Sequence, residues 1–268
     1  MNPVPMKPVE VVQGDGPLIL GLPHTGTYLP EAIRAKLNAR GLLLADTDWH
    51  IERLYAGLVP EATTVRATFH RYVIDANRGP DDASLYPGQN TTGLVPVTDF
   101  DGEPIWNEEP DAADIAARKA EFHAPYHAAL SAETERVRAR HGVAILYDCH
   151  SIRSHIPFLF EGVLPDFNIG TNNGETCDPR IEAATFDLCA ASGRAHVLNG
   201  RFKGGWTTRH YGRPKEGVHA IQMELAQSTH LATEVPPFAY DEKKAEALRA
   251  TLGAILERLV ALAPELKR

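Results

Sequence analysis

The sequence predicts an α/β fold: a single domain with a mostly parallel or mixed central sheet flanked by helices. Three observations carry this expectation. Apolar runs recur at residues 17–22 (PLILGL), 142–149 (GVAILYDC) and 218–225 (VHAIQMEL), and short runs bounded by turn residues read as buried strands. Helical stretches lie between them, and strands alternating with helices build parallel sheets covered on both faces. The 268 residues are 43% hydrophobic and 23% charged, with no repeat, low-complexity tract or linker, which is ordinary globular composition.

The elements follow in order. Residues 17–22 form a strand that stops at Pro23-His24-Thr25-Gly26, a loop signal. Residues 30–40 read as a helix with Pro30 in its first turn, and residues 46–58 as a second helix opened by an Asp or Thr cap. Residues 63–75, rich in β-branched and aromatic side chains, read as one or two strands. Residues 77–109 carry Arg78-Gly79-Pro80, Pro87-Gly88 and Asp101-Gly102; a loop this long is usually functional. Residues 111–141 form a long helix with a bend at Pro125. Strands follow at 142–149, 167–173, 195–198 and 218–225, with helices at 179–192 and 240–262.

Composition excludes several classes. Lys and Arg number 27 against 35 Asp and Glu, a net charge of -8, whereas nucleic-acid binders carry a basic excess. The three cysteines are odd in number, widely spaced and without a Cys-x-x-Cys pair, so neither a thiolate zinc ribbon nor a disulfide framework is expected. With 12 His, a transition-metal site here would use imidazole and carboxylate. No apolar run reaches the roughly 18 residues of a membrane helix. Residues 1–10 hold three prolines and no apolar core of a signal peptide. The expectation is a soluble, cytoplasmic protein with a small-molecule partner, no nucleic acid and no membrane. A monomer and a homo-dimer both remain open.

Candidate chemistry gathers at strand ends. His24 and His150 each follow a buried run, and Glu224 lies near the end of another; in open parallel sheets ligands bind beyond the carboxyl ends of the strands. Two imidazoles and a carboxylate from Asp48 or Asp46 would make a catalytic metal set with one position left for water. A hydrogen-bonded loop histidine is the plain alternative for each His. Asp148, two residues before His150, shares its strand face and could steady it. Glu224, between Met223 and Leu225, is a carboxylate too costly to bury without a partner or a chemical role. It is either a general base or one half of a structural ion pair. Arg71, Arg78, Arg201, Arg209 and Arg213 lie in segments dense in Gly, Asn, Tyr and His. Their planar forks suit carboxylates, or they are solvated surface groups. Ser151 lacks a nucleophile elbow, Cys149 reads as an inert core thiol, and His123 and His127 flank a proline and read as structural. Gly170 to Gly174 lacks the Lys-Ser/Thr of a phosphate loop.

Several segments, taken together, resemble the N-formylglutamate deformylase (N-formylglutamate amidohydrolase) family: Leu22 to Gly26, Asp46 to His50, His70 to Arg78, Asp148 to Ser151, Gly204 to Gly212 and Gly217 to Leu225. The resemblance spans residues 15–235. It implies one catalytic domain over residues 1–268 that hydrolyses N-formyl-L-glutamate to glutamate and formate, the last step of one bacterial route of histidine degradation. It implies a fold similar to zinc carboxypeptidases and aspartoacylases, and a zinc ion or another divalent transition metal on His24, Asp48 and His150. Thr27 stands where carboxypeptidases have their glutamate ligand, so the third ligand falls to Asp48, with Asp46 the alternative. By the same likeness Glu224 is the general base and Arg71 polarises the carbonyl. Asn77 and Arg78, with Arg209 and Arg213, bind substrate carboxylates. The competing readings are a hydrolase of other N-acyl amino acids, a carboxypeptidase, and a non-catalytic small-anion binder of the same fold.

Overall fold

Every residue of three strands, Leu18–Leu22, Ala144–Ile152 and Val218–Ala226, is buried. Strands apolar on both faces need helices on both sides, and that is what the computed structural model, which describes residues 6–267, shows. Residues 1–5, half of the segment read above for a targeting signal, lie outside the described residues. The strands are β1 (Val9–Val12), β2 (Leu18–Leu22), β3 (Thr63–Ala67), β4 (Ala144–Ile152), β5 (Phe167–Gly170), β6 (His196–Leu198) and β7 (Val218–Ala226). They form one seven-stranded sheet in the order β1-β3-β2-β4-β7-β5-β6. The sheet is mixed: β3, β2, β4 and β7 run parallel, while β1 pairs antiparallel with β3 and β5 antiparallel with β7.

The period of two along a strand sorts the side chains. Leu18, Leu20, Leu22, Tyr147, Cys149, Ile221 and Met223 face one core layer, where α5 (Pro179–Ala191) and α7 (Glu242–Leu262) pack. On α7, Leu248, Leu252, Ile255, Leu259 and Leu262 recur at helical spacing and are buried, each stabilising the fold by roughly 1.5–3 kcal/mol. Ile19, Leu146 and Ala220 face the other layer, against α4 (Ala124–His141) and the chain around Phe69 to Ala76. That second face changes character along its length. Leu146 is followed at even positions by Asp148 and His150, and Ala220 by Gln222 and Glu224, with His150 opposite Glu224 in register. The apolar layer thus becomes polar at the carboxyl end of the parallel strands.

Several elements differ from the sequence reading. The helix expected at residues 30–40 is confined to α1 (Glu31–Arg34), because the chain then turns to bridge Leu37 with Trp106 and to bond Asn38 Nδ2 to the Pro104 carbonyl. The helix expected at 46–58 is only α2 (Ile51–Tyr55), started by His50 with φ 62° and no side-chain cap. The would-be caps are engaged elsewhere: Asp46 accepts from the Tyr72 hydroxyl and Asp48 faces His150. Residues 63–75 give one strand, β3, and then turns. The long helix divides into α3 (Ala112–Arg118), a π turn at Lys119–His123 and α4. The wide turn directly before Pro125 accommodates a ring that lacks an N–H and crowds the preceding turn. Residues 77–109 hold no helix or strand. His150 lies inside β4 rather than in a loop beyond it. No helix among the described residues is long and apolar enough to cross a membrane.

The His at 123 and 127 are structural in contact. His127 bonds the Ala76 carbonyl at 2.9 Å and the Tyr211 hydroxyl at 3.1 Å, and His123 bonds the Arg78 carbonyl at 2.9 Å. Burial pushes His127 from the usual 6.5 down to about 3, and burial likewise pushes His230 down to about 4. The unfolded chain therefore binds protons that the folded chain refuses. Their stabilising contribution is complete above pH 6.5 and is lost as pH falls toward 3–4, at about 1.4 kcal/mol per pH unit for each histidine. Urea unfolding at pH 7 and pH 5 should show this loss, and His127→Gln should flatten it. An unchanged slope in the variant would remove His127 from the account.

Candidate functional site

The polar end of the second face meets two loops. His24 sits in the loop after β2, with 3% exposure, and Asp48, with 1%, precedes α2. With His150 on β4 they form a buried group whose ligand-type atoms lie within 4.8 Å of one another. His150 Nδ1 is 3.1 Å from Asp48 Oδ2, and His24 Nδ1 is 3.7 Å from the same oxygen. The far nitrogens are held from behind. His24 Nε2 bonds Asp75 Oδ1 at 2.7 Å, while His150 Nε2 lies 3.2 Å from Asp148 Oδ2 and 3.1 Å from Asn77 Nδ2. A carboxylate behind an imidazole fixes its orientation and leaves the other nitrogen free for a ligand.

Two observations test whether these residues suit a metal. His24 Nδ1 is buried and has no hydrogen-bond partner, and a buried polar atom without a partner is costly. Its pKa is lowered by burial and by Arg71, against the pull of Asp75 and Asp48, so the ring stays neutral and its lone pair is available. Burial also works against a charged His150, yet Asp148 and Asp48 outweigh it and raise its pKa well above the usual value. Surroundings that favour positive charge at that spot suit a cation. The donor set of two nitrogens and one oxygen fits a divalent transition metal.

Glu224 on β7 is 7% exposed and accepts a hydrogen bond from Gln222 Nε2 at 3.1 Å. Burial pushes its pKa to about 8; Asp48 and Asp148 add to this, and His150 and Arg71 oppose it. Arg71 is pinned to Asp75 Oδ2 at 2.5 Å and lies over the Phe100 ring at 4.7 Å. Asp75 is thereby a double anchor, for His24 and for Arg71. Burial alone would raise the Asp75 pKa, but Arg71 and His24 reverse this and hold it well below the carboxylate range. Asn77 Oδ1 accepts from the Thr207 N–H at 2.9 Å. A Cβ on Gly205 would collide with the Asn77 side-chain amide, so only glycine lets α6 (Trp206–Tyr211) approach this closely.

These groups line one cavity of about 100 Å³, with His24, Asp48, Arg71, Asp75, Asn77, Arg78, His150, Arg201 and Glu224 in its walls. Eight residues singled out from sequence therefore converge: the three candidate ligands with Glu224, Arg71, Asn77, Arg78 and Arg201. Two do not line it. Arg209 bonds the Gly204 carbonyl and lies over the outer Tyr86 ring, and Arg213 pairs with Glu135 and Glu216 at the opposite end of β7. The alternative ligand Asp46 is turned away, accepting from Tyr72 Oη at 2.8 Å and the Phe100 N–H at 3.0 Å. Sequence reasoning gave Asp75 no role. Its signal was a lone carboxylate ending the apolar run Tyr72 to Ile74, four residues after an arginine.

An α/β sheet that gathers a His–Asp–His cluster and a buried carboxylate at its strand ends defines a class, that of α/β proteins with a candidate hydrolytic metal centre. Comparison with known proteins is more specific. The family model described as N-formylglutamate amidohydrolase matches residues 16–231. The chain is 50% identical over 254 residues to the N-formylglutamate deformylase of Pseudomonas aeruginosa, covering 93% of this chain and 94% of that one. It is 47% identical over 263 residues to the deformylase of Pseudomonas putida, covering 97% and 98%. The crystal structure of N-formylglutamate amidohydrolase from Ralstonia eutropha superposes with a TM-score of 0.83 at 25% identity, covering 97% of this chain and 99% of that one. The chain belongs to the N-formylglutamate amidohydrolase family.

Proposed function

We propose that the chain hydrolyses N-formyl-L-glutamate to L-glutamate and formate with the help of a divalent metal. The observation that carries the reading is one small cavity holding a His–Asp–His cluster, a buried carboxylate and arginines, in a chain half identical to N-formylglutamate deformylases. The cavity suits a small acyl amino acid rather than a peptide. His24 Nδ1, Asp48 and His150 Nδ1 would hold the ion, zinc being a natural choice for this donor set. When bound, such an ion supplies Lewis-acid polarisation and makes water more acidic.

The chain's own residues do the rest. Glu224 takes a proton from the attacking water as its oxygen bonds to the formyl carbon. Arg71, held in place by Asp75, donates hydrogen bonds to the oxygen that gains negative charge. Glu224 returns the proton to the amine nitrogen as the C–N bond breaks, leaving formate and glutamate. Asn77 and Arg78 hold the substrate carboxylate next to the amide, a bidentate contact that suits a guanidinium.

Formate release from N-formyl-L-glutamate, before chelation, after it and after zinc is restored, tests the reading. Turnover that falls on chelation and returns with zinc is expected. Turnover only on N-succinyl or N-acetyl amino acids would overturn the substrate, and turnover indifferent to removal of all bound metal would overturn the metal.

A further inference from the structure

The cavity wall holds two cations that no carboxylate pairs with directly among the described residues. Arg71 is paired with Asp75. Asp48 faces the two histidines. Arg78 and Arg201 also line the cavity, and neither forms an ion pair among the described residues. Two guanidiniums facing one small cavity repel each other; Glu224 in the same wall attracts Arg201, and an entering carboxylate offsets the repulsion further.

Arg201 is built into the wall rather than left to swing. Its Nε donates to the Leu159 carbonyl at 3.0 Å and its Nη2 to the Asn90 carbonyl at 2.9 Å. Its guanidinium lies 5.6 Å from the Tyr86 ring centre and 5.4 Å from that of Phe202. Tyr86 is fixed in turn, its hydroxyl donating to the Gly204 carbonyl at 3.0 Å and accepting from the Lys203 N–H at 3.2 Å. These bonds use two of the five guanidinium N–H groups and leave Nη1 for a ligand. Arg78 follows Asn77, which touches His150. Arg201 is held by Asn90 and Leu159 and lies beside Tyr86, three further residues of the cavity wall. An N-acyl amino acid has one carboxylate next to the scissile amide and, where the amino acid is glutamate, a second one two methylenes out.

We propose that Arg201 determines specificity by binding the side-chain carboxylate of the substrate, while Arg78 takes the carboxylate beside the amide. This rests on the proposed amidohydrolase function and names the residue that makes the enzyme prefer an acidic side chain. It also supplies the second cation that Arg209 and Arg213, which do not line the cavity, leave unassigned.

The test compares kcat/KM on N-formyl-L-glutamate and on its neutral isostere N-formyl-L-glutamine. Wild-type protein should prefer the acid by roughly 10²–10³-fold, the range expected for a partly desolvated charge pair. Arg201→Gln should lose about that factor on the acid, mainly through KM, and change the amide by no more than a few-fold, so the preference collapses. Arg201→Lys, which keeps the charge but not the fork, should retain part of it. Equal losses on both substrates would mean a structural role and overturn the proposal, as would an unchanged preference. Calorimetric binding of L-glutamate against L-glutamine reads the same subsite without turnover. A wild-type protein inactive on both substrates would therefore sink the proposed function, while a glutamate preference abolished by Arg201→Gln would still uphold this inference and one that persists would overturn it.

Discussion

Replacing Glu224 with Gln should lower kcat on N-formyl-L-glutamate by roughly 10²–10⁴-fold, the contribution of a positioned general acid–base, with KM near wild type. The two side chains have the same shape, and Gln can still accept from Gln222 Nε2, the one hydrogen bond the carboxylate makes among the described residues. The fold should therefore tolerate the change. What disappears is the capacity to take a proton from water and return it to the amine. A carboxyl whose pKa burial has pushed to about 8 is matched to both of those transfers, since an effective base and its conjugate acid titrate near the working pH. A positive charge at the His24–Asp48–His150 cluster would favour the ionised form, which links the base to the metal. Metal content must be measured alongside the rates. A variant with full metal and full turnover would take Glu224 out of the mechanism, and one that has lost its metal would show a structural effect instead.

The parts of the site legible in the sequence are those that strand periodicity controls. Asp148, His150, Gln222 and Glu224 occupy even positions on β4 and β7, so an apolar run with a polar residue at its carboxyl end is enough to place them. The parts that were not legible depend on the path of the long connections. Arg209 and Arg213 stand in a stretch dense in Gly, Tyr and His where their forks would suit a carboxylate, yet α6 turns Arg209 onto Tyr86 and Arg213 ends beside Glu135 of α4. Nothing local distinguishes them from Arg201, because what selects Arg201 is a pair of carbonyls, at Asn90 and Leu159, from segments distant in sequence. The two short helices near the site fail as helices for the same reason. Asp46 and Asp48 would have been good caps, but tertiary partners claim both carboxylates, and tertiary context overrides local propensity.

The second large effect concerns the residue that supports the cluster from behind. Asp75→Asn should weaken metal affinity by about 10–100-fold, the usual consequence of losing a carboxylate behind a ligating histidine, and His24→Ala should weaken it further still. Asp75 holds His24 Nε2 at 2.7 Å and so fixes which nitrogen, Nδ1, faces Asp48. The amide of Asn could keep a hydrogen bond to that ring, but it removes the negative charge that both His24 and Arg71 rely on. Two separate losses are then expected: weaker metal binding through the freed imidazole, and a lower kcat at saturating metal through an Arg71 no longer held. Competition with a chromophoric chelator measures the first, and turnover with metal in excess measures the second. If Asp75→Asn binds metal as wild type does, the carboxylate is an anchor for Arg71 alone. If His24→Ala does so as well, the ion does not reside at this cluster. The expected order is His24→Ala below Asp75→Asn below wild type in affinity, because a ligand atom contributes more than the group that aims it.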